Sequence, residues 1–398
     1  MDFRRFWQAG LFFLCFPVLP GTGAIAAPRV PASDQEILER LPAKPADATF
    51  RDLRRLRDAV LSAPQDPVPA GTLARRYFEL AMAEGDPRYV GYAEGVLFRW
   101  REQPEAPAEI LVLQGLLRQY RHDFDGALRQ LAAALERDPH RVEAHAWRAA
   151  IYMVQAKYDL AMAECAALSG FASELLLTGC RTSVEGVTGR AGQAYEKLKR
   201  ALDKYPGTAP DLQVWIRTRL AELAQRLGRK AEAERHFRDA LALGIADNYL
   251  FAAYADFLLE DNRAADALKL LRDRERSDTL LLRIALAERM TKAATGAARE
   301  RILGERFHDA SLRGERLHLA EEARFLLDLR GDPKAALLAA QENWKTQREP
   351  RDAEILLEAA LASRDPAAAG PVLDWLKATG FEGARLARLA KQLPQAGK

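Results

Sequence analysis

The chain has 398 residues, of which 48% are hydrophobic and 29% charged. This length exceeds what one compact core usually holds, so the chain either divides into domains or grows as a repeat array. Ala, Leu, Arg and Glu dominate and β-branched residues are sparse, which favours helices. The 59 basic and 56 acidic residues alternate along most segments, as in Glu232-Ala233-Glu234-Arg235, and this pattern disfavours a nucleic-acid-binding protein.

Residues 1–26 are typical of a cleavable secretion signal. Two arginines precede an apolar stretch, Ala9–Pro20, and the small residues Ala24 and Ala26 form an A-x-A cleavage site. The stretch is shorter than the roughly 20 residues that span a bilayer. We therefore expect cleavage before Ala27 and no membrane insertion of the mature chain. The wealth of Ala and Arg is typical of GC-rich bacteria, so the predicted location is the periplasm.

Residues 27–49 are rich in Pro and Asp and are predicted to form an N-terminal arm with one short amphipathic helix over residues 35–41. The first long helix is predicted over Phe50–Leu61, because its apolar residues fall on one face. From residue 50 to residue 278 the chain then follows a regular pattern of helical segments.

This pattern is a repeat of 34 residues. Small residues recur at that spacing, with a one-residue slip and one insertion, at Ala93, Ala127, Ala161, Ala194, Ala233 and Ala267. Two antiparallel helices can approach closely only where side chains are small, so each unit is predicted to be a helical hairpin. Breaks such as Gly228-Arg229 separate the two helices of a unit, because Gly suits the left-handed position that ends a helix. Asp138-Pro139 separates units, because Pro starts a helix but cannot continue one.

These segments resemble the tetratricopeptide repeat family, most closely over Ile110–Pro139, where Gly115, Phe124, Ala127 and Ala134 stand at family spacing. The resemblance implies an all-α fold, an α-solenoid of stacked antiparallel helix pairs that form a right-handed superhelix. It covers residues 74–278 well. We expect degenerate helical repeats over residues 279–350, and a terminal hairpin with a capping helix, Ala384–Gln392, over residues 351–398.

In the resembled family the first helices of successive units line a concave groove that receives a peptide or a helix of a partner protein. Carried over unit by unit, this implies a groove formed by Phe78, Val112, Leu116, Tyr120, Ala146, Met153, Ser183, Trp215, Glu222, Tyr249 and Asp256. The alternative is that Leu116, Met153 and their neighbours belong to the core, because a tight superhelix also buries part of its inner face.

Motifs that carry chemistry are missing from the sequence. The six histidines are His122, His140, His145, His236, His308 and His318. None pairs with another at i, i+4, and the sequence contains no H-E-x-x-H, G-x-S-x-G, phosphate loop or dinucleotide fingerprint. We therefore expect surface histidines, no metal, no cofactor and no enzymatic activity.

Two cysteines remain after signal cleavage. Cys165 lies late in the second helix of one unit, and Cys180 lies in the first helix of the next. Antiparallel helices on either side of the turn at residues 170–172 place them at similar height, and an oxidising compartment permits a disulfide. Two separate buried thiols are the alternative.

The sequence thus favours a periplasmic scaffold or adaptor that binds a protein partner. Two alternatives stay open at this point. The chain could be an accessory subunit that docks a catalytic envelope enzyme or a maturation factor, or a structural protein that associates only with itself.

Overall fold

The computed structural model describes residue 33, residues 48–101, residue 103, residues 105–314 and residues 318–393. The predicted secretion signal and nearly all of the predicted arm lie outside the described residues. The chain divides into two units, residues 1–51 and residues 52–398. Of the first unit, only residue 33 and the first four residues of one helix are described. The repeats belong to the second unit.

Every regular element in the described residues is helical. The helices are α1 (Ala48–Ser62), α2 (Pro67–Glu84), α3 (Arg88–Leu97), α4 (Ala108–Tyr120), α5 (Phe124–Arg137), α6 (Val142–Val154), α7 (Tyr158–Ala167), α8 (Glu174–Val187), α9 (Ala191–Lys204), α10 (Pro210–Arg226), α11 (Lys230–Leu241), α12 (Asn248–Glu260), α13 (Ala264–Leu270), α14 (Asp278–Thr291), α15 (Gly296–Leu312), α16 (Leu319–Phe325), α17 (Pro333–Trp344), α18 (Pro350–Ser363), α19 (Gly370–Thr379) and α20 (Ala384–Gln392). A π-type turn, Leu326–Arg330, extends α16. The all-α prediction is confirmed for the described part of the chain.

The helices pair as the repeat predicts. Each even-numbered helix from α2 to α12 packs on the odd-numbered helix that follows it, and successive even-numbered helices stack on one another. The small residues at the 34-residue spacing, from Ala93 to Ala267, have no exposed surface. Gly115 shows the reason directly, because a Cβ atom there would lie 2.8 Å from the buried side chain of Leu131. Small side chains therefore set the distance between paired helices.

The turns inside the units share one backbone conformation. Gly85, Gly189 and Gly228 have positive φ angles at the ends of α2, α8 and α10, as expected for left-handed helix ends. His122 and Ala156 adopt the same conformation at the ends of α4 and α6 without the freedom of glycine. The position in the repeat, rather than the residue type, thus decides the turn.

The C-terminal helices do not simply extend the stack. Residues near α17–α20 lie across the turns inside five earlier units, from α4–α5 to α12–α13. The contacts join Gln347 to His122, Arg348 to Val154, Trp375 to Tyr158, Glu382 to Ala191, Phe381 to Arg226 and Arg385 to Glu260. We expected α20 to cap the stack; in the structure it packs on α18, and its Arg385 lies 3.6 Å from Glu260 at the end of α12.

Candidate partner-binding cavity

A cavity of about 590 Å³ lies inside the second unit. Its wall is formed mainly by residues of α10, α12, α14, α16, α18 and α20, together with the ends of α2 and α4 and the turn after α4. We call it the inner cavity. Its volume falls within the range of pockets that hold small ligands, about 300–1,000 Å³.

The structure brings four of the residues expected in the groove to this cavity: Tyr120, Glu222, Tyr249 and Asp256. They come from α4, α10 and α12, which are first helices of three different units. Tyr249 is 45% exposed, whereas Asp256 is 9% exposed and is held by ion pairs.

The other expected groove residues lie elsewhere. Val112 and Leu116 have no exposed surface and belong to the core, as does Phe78, whose ring packs edge-on against Trp147 at 6.0 Å. Met153 and Ser183 line a smaller pocket that also touches Glu222. Ala146 and Trp215 are partly buried, and the Trp215 ring packs on Gly179. Of the apolar members of the set, Phe78, Val112 and Leu116 are therefore core residues.

One side of the inner cavity is a network of arginines around Asp256. Its carboxylate accepts hydrogen bonds from Arg283 of α14 at 2.8 Å and from Arg324 of α16 at 2.5 Å, and Arg351 of α18 lies 3.6 Å away. Burial alone would raise the pKa of Asp256, but the three guanidinium groups outweigh it and hold this pKa far below its usual range. Asp256 is therefore a permanent negative charge that ties four helices together.

A second part of the cavity wall is rich in acidic side chains. Glu222 of α10, Glu321 of α16, and Glu349 and Asp352 at the start of α18 all line it. Burial, followed by the nearby Glu349 charge, raises the pKa of Asp352 to about 7. Burial also raises the pKa of Glu349, against the opposing effect of Arg219. Burial thus favours the protonated form of these two carboxyl groups.

His122 is not the surface histidine that the sequence predicted. It lies in the turn after α4, where its Nδ1 is 3.3 Å from the side-chain amide of Gln347. Burial lowers its pKa to about 4, helped by the nearby His318 and opposed by Glu321. A neutral ring accepts the amide hydrogen at Nδ1, so His122 works as a hydrogen-bonding group between two parts of the chain.

The wall of the cavity has almost no net charge but many polar groups. It contains eight basic and eight acidic side chains. Buried polar atoms with neither a hydrogen-bond nor an ion-pair partner occur on three of its residues: Arg219, Asn248 and Arg351. Buried polar groups nearly always find a partner. The cavity is therefore suited to a ligand that both donates and accepts hydrogen bonds.

Sequence reasoning missed most of this wall. Arg283, Arg324, Arg351, Asp352 and Arg385 all lie beyond residue 278, where the 34-residue register fades. The only local signal was the sequence from Glu349 to Asp352, with an acid, a proline and a second acid three residues later, which is a helix-start pattern.

The structure joins Cys165 and Cys180 in a disulfide, with their Cα atoms 5.6 Å apart. The bond links α7 to α8 across the boundary between two helical hairpins.

Among the described residues, no group of three or more His, Cys, Asp or Glu side chains could hold a metal ion. None of the described helices combines the length and the apolarity needed to cross a bilayer.

No family model matches the sequence, and no curated protein matches it significantly. Among solved structures, the chain is similar to the APC/C hetero-tetramer Cut9–Hcn1, with a TM-score of 0.50 and 13% identity over 86% of this chain and 67% of that chain. It also matches a tetratricopeptide repeat protein from Parabacteroides merdae, with a TM-score of 0.36 and 15% identity over 72% and 98% of the two chains. For yeast Tom70 the TM-score is 0.40 and the identity 12%, over 86% and 85%.

Proposed function

We propose that this tetratricopeptide-type α-solenoid is a periplasmic scaffold that receives a short, charged segment of a partner protein in the inner cavity. The observation that carries the proposal is the convergence of Tyr120, Glu222, Tyr249 and Asp256, from the inner sides of three units, on one polar cavity. Residues that the family resemblance places in a groove thus face a common space.

The size and charge of the cavity define the partner segment. A volume of about 590 Å³ has room for a few residues and not for a long helix, whose diameter with side chains is about 10–12 Å. Because charged side chains line the wall, an apolar segment would separate them from water, at a cost in free energy. A segment with both charged side chains and free backbone groups would satisfy them.

The periplasmic location rests on the N-terminal sequence pattern and agrees with the disulfide between Cys165 and Cys180, since disulfides persist in oxidising compartments. We expect the exported protein to begin at Ala27. N-terminal sequencing of protein from the periplasmic fraction tests this. A chain that still begins at Met1, or that stays in the cytoplasm, would contradict it.

Filling the cavity tests the binding site. Ala384 is an exposed residue of α20 that lines the cavity, so Ala384→Trp should occupy the space without removing any side-chain contact. We expect a partner that co-purifies with the wild-type protein from periplasmic extract to be captured at least tenfold less. The matched control is Ala387→Trp, which adds the same side chain at an exposed position of α20 outside the cavity wall. Equal capture by both variants would contradict the proposed site.

The same capture experiment separates the two alternative functions. An associated protein with enzymatic activity would favour the accessory-subunit role. Recovery of this chain alone, in an oligomer whose size is unchanged by Ala384→Trp, would favour a self-associating structural protein.

A further inference from the structure

The smaller pocket beside Met153 and Ser183 adjoins the inner cavity, and we call it the side pocket. Its volume is about 40 Å³. The two spaces share Arg219, Glu222 and three further wall residues, and the rest of the side pocket comes mainly from α6, α7, α8 and the turn before α18. We therefore expect a side chain of a segment held in the inner cavity to reach the side pocket.

Three arginines line this pocket, and they have few partners of opposite charge. Arg219 pairs with Glu222 at 3.0 Å, but its Nε atom is buried and has no hydrogen-bond partner. Within the described part of the chain, Arg226 and Arg348 donate hydrogen bonds only to backbone carbonyl oxygens. Arg226 also lies over the Phe381 ring, which carries no charge. Two of the three guanidinium groups are therefore available to an anion.

The acidic groups of the pocket balance only part of this charge. Glu222 is already engaged, because it pairs with Arg219 and accepts a hydrogen bond from the Tyr249 hydroxyl at 2.5 Å. The Glu349 side chain accepts the backbone N–H of Asp352 in the capping box at the start of α18. With all three basic and both acidic groups ionised, the wall keeps a net positive charge.

The Tyr158 hydroxyl supplies a further donor. Trp375 Nε1 donates to its oxygen at 2.9 Å, and among the described residues none accepts the hydroxyl hydrogen in return. Burial raises the pKa of Tyr158 to about 12, so the hydroxyl keeps its proton at neutral pH. The Ser183 hydroxyl does not compete for a ligand, because it donates to the carbonyl oxygen of Gly179 at 2.8 Å.

The volume of the side pocket selects among anions. A single water needs at least about 10–15 Å³ measured in the same way, so about 40 Å³ holds a group of roughly three non-hydrogen atoms. A carboxylate has three such atoms, whereas a phosphate group has five. Guanidinium groups bind carboxylates through strong, charge-assisted hydrogen bonds. The size and the donors of the side pocket therefore both fit a carboxylate.

We propose that the side pocket binds the carboxylate of an acidic side chain, Asp or Glu, in the partner segment. Arg226 and Arg348 are its ion-pair partners, and Tyr158 donates a hydrogen bond to it. An internal residue fits better than a chain end, because the inner cavity holds the main chain and the side pocket has room only for the end of a side chain. This specificity rests on the proposed function, since it concerns the same partner segment.

Short peptides test this assignment by isothermal titration calorimetry on the mature chain. The probes are acetylated tetrapeptide amides with one Lys and with Asp at each other position in turn, and the same peptides with Asn in place of Asp. We expect the best Asp peptide to bind at least tenfold more tightly than its Asn counterpart, a factor typical of hydrogen bonds to charged groups. Asn peptides with a free C-terminal carboxylate should not gain this factor.

Variants of the two arginines separate specificity from folding. Arg226→Gln and Arg348→Gln should each reduce the preference for Asp over Asn to less than threefold and leave the affinity for the Asn peptide unchanged. The matched control is Arg200→Gln, which removes an exposed arginine of α9 that lines neither cavity. This variant should keep the tenfold preference.

Acetate tests the side pocket without any peptide. At pH 7 and equal ionic strength, the midpoint of thermal unfolding should be higher in sodium acetate than in sodium chloride, because a ligand that binds only the folded state stabilises it. The difference between the two salts should disappear in Arg226→Gln and in Arg348→Gln. It should stay unchanged in Arg200→Gln.

Three results would overturn the assignment. The first is equal binding of Asp and Asn peptides, and the second is tighter binding through a free C-terminal carboxylate but not through Asp. The third is an acetate effect that is absent from the wild type or equal in all four proteins, with circular dichroism showing that the variants are folded. A failure of the proposed function looks different, because no peptide then binds while the acetate effect still depends on Arg226 and Arg348.

Discussion

Asp256 shows how much one side chain can contribute to this fold. Its carboxylate on α12 accepts hydrogen bonds from Arg283 and Arg324 and lies near Arg351, so that it connects α12 to α14, α16 and α18. All four side chains are at least partly buried. Removing the negative charge would leave three guanidinium groups close together without a counter-charge.

We therefore expect Asp256→Asn to lower the free energy of unfolding by about 3–5 kcal/mol, the usual cost of breaking a buried ion pair from one side. Urea titration followed by circular dichroism measures it. The control is Asp266→Asn, since Asp266 pairs with Arg263 at the surface of α13 and such pairs contribute about 1 kcal/mol or less. Similar losses in the free energy of unfolding for both variants would mean that the network does not hold the four helices together.

His236 provides a second prediction for a single residue. It is buried in α11 and lies 3.0 Å from the Tyr195 hydroxyl. Burial lowers its pKa from about 6.5 to about 4. The unfolded chain therefore binds more protons than the folded protein between these pH values. The contribution of the neutral His236 ring to stability is complete above pH 6.5 and is lost as the pH falls toward 4.

We expect the wild-type protein to lose roughly 1–3 kcal/mol more than His236→Gln between pH 6.5 and pH 4.5. Unfolding titrations at several pH values measure this difference. His308→Gln, at an exposed position of α15, controls for the loss of a histidine. Parallel pH profiles for the wild type and His236→Gln would count against the buried neutral ring.

At the scale of elements, the turns inside the units have two functions. Each turn ends a first helix, and several also support the C-terminal helices. Gly189 and Gly228 occupy equivalent turns and share a φ angle of +75°. A Cβ atom at Gly189 would lie 3.0 Å from the carbonyl oxygen of Gly380, whereas the space around Gly228 is open.

This pair separates backbone strain from the contact between turns. Gly228→Ala should lower the free energy of unfolding by about 1–2 kcal/mol, because alanine is strained in the left-handed region. Gly189→Ala should cost at least about 1 kcal/mol more, because it also pushes the α19 end away from the α8 end. The two midpoints of thermal unfolding measure the difference. Equal midpoints would show that the α8–α19 contact adds little stability.

The disulfide is the covalent link between elements. It joins α7 and α8 over a sequence separation of 15 residues. By chain entropy, a loop of this size corresponds to about 3 kcal/mol. We expect a reductant to lower the stability of the wild type by up to this amount and to leave Cys165→Ser/Cys180→Ser unchanged. Mass spectrometry under non-reducing conditions should show a mass two hydrogens below that of the reduced chain.

At the scale of the whole second unit, the contacts of the C-terminal helices change the expected unfolding behaviour. In a linear repeat array each repeat contacts only its neighbours, and stability adds along one dimension. Here contacts such as Trp375–Tyr158 and Arg351–Glu260 join residues 217 and 91 positions apart. The stability of the early hairpins is therefore coupled to that of the C-terminal helices.

We expect a single cooperative transition in urea. Tryptophans occur both in the repeats before residue 278, at Trp100, Trp147 and Trp215, and near the C-terminal end, at Trp344 and Trp375. Their combined fluorescence should therefore follow the loss of helix seen by circular dichroism. A separate early step in fluorescence would indicate that the C-terminal helices detach first, against the contacts described above.

The sequence alone determined the helices and their pairing. Small residues such as Ala127 and Ala161 act within one hairpin, and Gly and Pro act within one turn, so their effects can be predicted from local spacing. The absence of a side chain at Gly115 is explained by the neighbouring helix alone. The same local information could not distinguish groove from core at Val112 and Leu116, because both roles use apolar residues on the first helix.

The tertiary structure alone decided the inner cavity. Asp256 meets Arg324 across 68 residues, and Glu260 meets Arg351 across 91. Their meeting depends on how α12, α16 and α18 pack on one another, and that packing leaves no periodic trace in the sequence. The charges that line the cavity were visible in the sequence as ordinary helix residues. Only the tertiary packing of the helices brings these side chains together as the wall of a common site.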